Sequence, residues 1–333
     1  MVIAYEGGEK EPGPLNLVKL AGALGFPTDF FAGPTLDEPP FEASSFRALS
    51  NLTARHRDQA LGSGAIALLL ARWIDQRFEL PEPNVPQLRG IDPETAAMAV
   101  RREWGLGEQP IRNMIHLLES NGVRVFSLVE ECRELDAFSF WLKQRAYIFL
   151  NTLKSAEHSR MDAAHELGHL VLHWREGVRG REAEREADLF GSAFLMPRGS
   201  ILAQAPRGGR FADIIKAKQL WNVSATALTY RMHKLGLLSD WQYRSLFVEL
   251  SRSGYRTVEH YGVQPETSQA LAKVFEALRE DGIAKQQVAE ELNITVEELD
   301  RMVFGLVMTS VQGRAETTPR SEKDRSHLRL VND

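Results

Sequence analysis

One cysteine, Cys132, occurs in 333 residues, so no disulfide can close within the chain and no C-x-x-C redox or metal pair exists. No apolar run approaches the roughly 18–20 residues that cross a bilayer, and residues 1–30 lack the charged-then-apolar layout of a secretory signal. Lys and Arg number 40 against 45 Asp and Glu, a net charge of −5, so no global basic field announces nucleic acid. Glycine-rich phosphate loops and convincing internal repeats are missing too. Together these absences predict a reduced, cytoplasmic chain with no membrane association. What is present, 43% hydrophobic and 26% charged residues, is ordinary for two or three globular domains.

The informative stretch is RMDAAHELGHLVLHW, residues 160–174. Met161, Ala164, Leu167, Leu170, Val171 and Leu172 give it a helical apolar period, with Ser159 or Asp162 as the expected cap. At about 100° per residue, His165 and His169 share one face, roughly 6 Å apart along the axis. Two imidazoles so spaced can share a small cation, and Glu166 beside them can take a proton from a water that the cation holds. An ordinary pair of helix histidines is the plain alternative, and the neighbouring Glu166 weighs against it.

A catalytic zinc usually takes three protein ligands. His173 continues the series but lies about 12 Å along the axis from His165. That is too far for one ion with bonds of about 2 Å, so His173 is expected to be a neighbour rather than a ligand. The second helix, GREAEREADLFGSAFLMP at 180–197, is stopped by Pro197 and has Ala183, Ala187, Phe190, Gly191 and Phe194 as its apolar side. On it Glu184 and Asp188 are four apart and share a face. Glu184 can then bind the metal while Asp188 holds the free N–H of a ligating histidine. Glu186 points about 160° away from that face and is the alternative third ligand. A solvated helix N-terminus rich in carboxylates is the plain reading of the same run.

AYIFLN (146–151), an arginine-containing turn, AAHELGHLVLH and EREADLFGSAFLMP together resemble the ImmA/IrrE family of zinc metallopeptidases, over roughly residues 95–200. The resemblance implies an α+β, zincin-like peptidase domain, with a small sheet packed beside the HExxH helix. It also implies His165, His169 and Glu184 as Zn²⁺ ligands, Glu166 as general base, and cleavage of a partner protein, often a repressor. In such peptidases an edge strand beside the zinc helix binds the substrate backbone by β-augmentation. The strand pair around 138–141 and 146–151 is assigned that role. Phe140 and Trp141 are candidate pocket residues, with core packing as the alternative; His158 and His116 are expected at the surface.

The flanks are read more coarsely. Residues 1–35, with YEGGEKEPGPLNLVKLAGALGFPTDFF at 5–31, resemble the later part of an XRE-type helix-turn-helix module, with Leu15, Leu17, Leu20, Ala21 and Leu24 as its packing residues. The elements that begin such a module, with most of its recognition helix, have no counterpart. This weighs against DNA binding and predicts a segment that is loosely ordered or packed on something else. Residues 40–80 read as a helical segment, and LPEPNVPQLRG, with three prolines, as a linker at 81–91 before a peptidase domain at 92–205. A helical extension follows at 206–310. Its first hairpin is helix-turn-helix-like around Asn222-Val223-Ser224, with seven Lys/Arg against two Asp/Glu over 207–244. A hairpin that covers the peptidase core is the alternative. The second hairpin has nine acidic and three basic residues over 265–300, which would repel phosphates and suits a protein partner or a second copy of the chain. Residues 311–333 read as a disordered tail. The functional expectation is a zinc endopeptidase in a regulatory circuit. Its rival is an XRE-type regulator, or the antitoxin of a toxin–antitoxin pair, that keeps the peptidase shell as a binding module.

Overall fold

The computed structural model describes residues 2–40, 53–128, 135–174, 180–255 and 258–307; Cys132 and the tail expected at 311–333 lie outside them. The short helices α1 (Val2–Glu6), α2 (Pro14–Leu24) and α3 (Thr28–Ala32) come first, then α4 (Ala54–Asp75), α5 (Pro93–Glu103) and α6 (Met114–Ser120). Three strands follow, β1 (Val123–Ser127), β2 (Ala137–Leu142) and β3 (Arg145–Leu150). Next come the helix pair α7 (Ala156–Leu172) and α8 (Arg181–Leu195), then α9 (Arg198–Gln204), α10 (Phe211–Trp221), α11 (Ala225–Lys234) and α12 (Asp240–Arg252). The last described helices are α13 (Gln269–Glu280), α14 (Lys285–Glu291) and α15 (Val296–Val307). The fold is α+β, a small mixed sheet in a zincin-like peptidase domain with helical flanks.

The sheet order is β1-β3-β2, with β1 parallel to β3 and β2 antiparallel to it. Lys143 and Gln144, at φ 46° and 66°, form the tight two-residue turn whose twist suits a hairpin. Alternation along the strands then divides the side chains between two faces. Phe138, Phe140, Tyr147 and Phe149 stack on one face, with Phe138 and Phe149 centroids 4.5 Å apart. Helix α4 meets that face, with Gly64 beside Phe138 and Asp75 paired to Arg124 at 2.9 Å. Ser139 and Trp141 point to the opposite face, where α7 lies. The helix within 40–80 and the sheet therefore share one hydrophobic core, and the proline-rich 81–91 stretch crosses it without parting two cores. Of the two strands offered as a substrate edge, β3 is central and fully paired, so only β2 lies at an edge.

Helix α7 begins earlier than its sequence suggests. Ser155 is the cap, accepting from the His158 N–H, while Ser159 donates to Asn151 O at 3.2 Å and Asp162 is interior. Close packing of α7 on α8 depends on two glycines. A Cβ on Gly168 would meet Ala187 Cα at 3.2 Å, and one on Gly191 would meet His165 N at 3.0 Å and Ala164 C at 3.2 Å. Backbone cannot swing aside as a side-chain tip can. Gly191→Ala is therefore expected to cost about 1–3 kcal/mol of stability, read as a lowered urea midpoint; an unchanged midpoint would show that the helices have slack.

Buried arginines finish the C-terminal end of α8. Arg101 donates to Phe194 O, and Arg231 donates to Met196 O at 3.1 Å while pairing with Glu94 at 2.7 Å. Carbonyls left over at a helix end need such donors. Lys218 is likewise buried, 3.0 Å from Glu259. Two of the seven basic residues of the helix-turn-helix-like hairpin are thus committed to the interior of the protein. The acidic hairpin packs too, with α13 against α6 and α15 against β1. Near the N-terminus, Ala21 is the one expected packing residue that is buried, whereas Leu15 is 80% and Leu24 59% exposed.

Glu119 on α6 caps α13, accepting from Gln269 N at 2.9 Å, Ala270 N at 3.1 Å and the Ser268 hydroxyl. Burial nonetheless pushes its pKa from 4.5 up to about 7, against the pull of those donors and of Arg124. Between these values the folded chain keeps a proton that the unfolded chain has released, so stability falls as pH rises through that window. The loss between about pH 5 and about pH 8 is roughly 2–3 kcal/mol. Urea unfolding at both pH values checks it: the wild type should lose that much more than Glu119→Gln, and parallel losses would refute the assignment.

Candidate metal centre

Helix α7 carries His165, Glu166 and His169, with His173 as its C-cap residue, and α8 carries Glu184, Glu186 and Asp188 across from them. The Nε2 atoms of His165 and His169 lie 3.0 Å apart. Glu184 comes between them, with Oε2 3.6 Å from His165 Nε2 and Oε1 3.7 Å from His169 Nε2. Ligand atoms around a tetrahedral zinc, at bonds of about 2 Å, are separated by roughly 3.3 Å, and the observed separations bracket that value. Two imidazoles and one carboxylate are also a zinc-type donor set. The residues therefore fit the metal.

Asp188 Oδ1 lies 2.9 Å from His165 Nδ1. Burial disfavours a charged His165, but hydrogen bonds to Asp188 and Glu184 and the charge of Glu166 outweigh it and push its pKa up to about 10. Burial above all, and then the charge of His165, holds His169 well below the usual histidine range. At neutral pH His165 therefore holds an extra proton, which a divalent cation binding at its Nε2 would displace. Glu166 is buried and accepts a hydrogen bond from Ser139 Oγ at 2.6 Å. Ser139 was not singled out from sequence. The only signal was the alternation of Phe138-Ser139-Phe140-Trp141, which turns Ser139 toward the helix.

The other candidates lie as follows. Glu186 does not converge with the three ligand atoms; its Oε2 lies 2.8 Å from His173 Nε2. Phe140 is 1% exposed and stacked among Phe138, Tyr147 and Phe149. It is a core residue on the face away from α7, because strand alternation sends it there. Trp141 is half-buried on the α7 side, donating from Nε1 to Leu170 O at 3.0 Å. His116 is half-buried beside the α13 flank, and burial lowers its pKa. His158 is exposed, as expected, and has partners: it lies 3.6 Å from Asp162 and 3.8 Å from Asp136, and the Asp136 carboxylate beside it raises its pKa. Asp136, His158 and Asp162 form a second group of metal-binding type. The Lys154 ammonium already sits there, paired with Asp136 and 3.2 Å from His158 Nε2.

This sheet, with the HExxH helix and a carboxylate from the next helix facing it, defines a metallopeptidase-like domain. Residues 118–233 match the model of the IrrE N-terminal-like domain, Peptidase M78. The match starts in α6 and runs past the boundary read at 205, through α10 and almost to the end of α11. It fits a metallopeptidase role for this part of the chain. No curated protein matches the chain.

Proposed function

We propose that this chain is a zinc-dependent endopeptidase that cuts a specific partner protein, such as a repressor, in a regulatory circuit. The observation that carries the reading is the convergence of His165 Nε2, His169 Nε2 and the Glu184 carboxylate, from two separate helices, on one point. The family match over the same helices supports it. Zn²⁺ held by these three residues would supply Lewis acidity to a scissile carbonyl and lower the pKa of water to about 7.

The chain's own groups do the rest. Glu166 takes the proton from the attacking water and returns it to the leaving amine. The hydroxyl of Ser139 steadies one oxygen of that carboxylate from strand β2. Asp188 fixes the ring of His165 through Nδ1. Strand β2 is the sheet-edge strand next to Glu166, which makes it the candidate track for an extended peptide. A role in DNA binding gains little support, since Lys218 and Arg231 are buried in ion pairs. No helix among the described residues is long and apolar enough to cross a membrane.

The test is metal analysis of the purified full chain together with cleavage of co-expressed partner candidates. One zinc per chain is expected, with hydrolysis that a chelator stops and added zinc restores. A chain that binds no zinc at stoichiometric concentration overturns the reading.

A further inference from the structure

His173 is too distant to ligate, yet it is buried at the end of α7 with both ring nitrogens engaged. Its Nδ1 lies 3.0 Å from His169 Nδ1 and its Nε2 lies 2.8 Å from Glu186 Oε2. Its side chain is 4% exposed, whereas that of Glu186 is 39% exposed. We propose that Glu186 and His173 form an orienting chain that fixes the tautomer of His169 and so presents its Nε2 lone pair to the metal. This rests on reading His165, His169 and Glu184 as a metal centre.

The direction of each link follows from what each atom can do. An ionised carboxylate only accepts, so His173 Nε2 must donate to Glu186. A neutral imidazole with its proton on Nε2 has an accepting Nδ1. His169 Nδ1, facing that acceptor, must then be the donor. The proton of His169 is thereby placed on Nδ1, and its Nε2, the nitrogen facing His165 and Glu184, is left with a free lone pair. Without Glu186 nothing holds the proton of His173 on Nε2, and the link between the two imidazoles could reverse, putting a proton where the metal must bind.

Carboxylates commonly hold a metal-bound histidine by its far nitrogen, as Asp188 does directly for His165. The far nitrogen of His169, its Nδ1, faces His173 rather than a carboxylate on α8, and His173 bridges the gap to Glu186. One short run of α8 therefore supplies a ligand, Glu184, and both orienting carboxylates, Glu186 and Asp188. The acidic run E-R-E-A-D is thus fully used, each carboxylate in a different position. Glu186 and His173 are positioning residues and touch neither substrate nor metal.

The test uses the full chain and zinc itself, with affinity read by competition against a chelator. His173→Leu should weaken zinc binding about 10–100-fold. His173→Gln, whose amide can accept from His169 and donate to Glu186, should restore most of that loss. Glu186→Ala should weaken binding in the same direction, and as a half-exposed position it serves if His173→Leu fails to fold. Ring ¹⁵N shifts in the metal-free protein give a readout that mere packing would not move. They should show the proton of His169 on Nδ1 in the wild type and a mixture of tautomers in Glu186→Ala. Wild-type zinc affinity in Glu186→Ala, or a wild-type His169 protonated on Nε2, overturns the proposal. A wild type that binds no zinc at all overturns the metal-centre reading instead, while the ¹⁵N result still decides the orienting chain.

Discussion

Glu166→Gln is expected to lower cleavage by about 10²–10⁴-fold, the usual contribution of a general base, while zinc affinity stays within a few-fold of wild type. Glutamine is nearly isosteric, and its side-chain oxygen can still accept from Ser139 Oγ, which sits 2.6 Å from Glu166 Oε2. Folding and metal binding should therefore survive, and only the ability to hold a proton is lost. A partner-cleavage assay beside a zinc titration separates the two. Undiminished cleavage would move the base elsewhere. The same variant addresses the antitoxin alternative, because a chain that acts by binding alone should neutralise its partner equally well with or without the Glu166→Gln substitution.

Removing the carboxylate ligand has the other large effect. Glu184→Ala leaves two imidazoles whose Nε2 atoms are 3.0 Å apart with no anion between them. Zinc affinity should then fall by more than the roughly 100-fold that outer partners of a metal site cost. A second consequence has a definite sign. After burial, which opposes it, the hydrogen bonds of Asp188 and Glu184 are the main reasons His165 holds its proton up to about 10. Loss of Glu184 should therefore move that titration downward in metal-free protein, as followed by histidine NMR. If zinc binding survives Glu184→Ala and is lost in Glu186→Gln, the ligand has been misassigned.

Local periodicity made much of the site legible. His165 and His169 share a face because they are four apart on one helix, and so do Glu184 and Asp188. No tertiary information is needed for either statement. The family resemblance rests on the same two helices together with the strand AYIFLN at 146–151 and the arginine-containing turn after it. The partner of each strand residue was harder to read. Ser139 and Phe140 are adjacent in a strongly apolar run, and sequence alone does not say which face meets the zinc-type helix. Of the two readings open for Phe140, pocket or core, the structure shows the core, and it is Ser139 that touches Glu166. Glu186 was placed about 160° from Glu184 by helix geometry, which separated it from the ligands without revealing that His173 was its partner.

What the sequence determined by itself is the ligand chemistry within each helix, since spacing on a rigid 3.6-residue turn is a local property. It also determined that no disulfide could close within the chain, which has one cysteine. What only the tertiary structure decided is how the pieces meet. The approach of α8 to α7 is set by Gly168 and Gly191, whose missing Cβ atoms let backbones come within 3.0–3.2 Å of that position. Helix α4, separated in sequence by a proline-rich stretch, closes the far face of the sheet. The convergence of two histidines and a carboxylate follows from those long-range contacts. Contacts of that kind depend on the shape of both surfaces at once, which no single stretch of sequence carries.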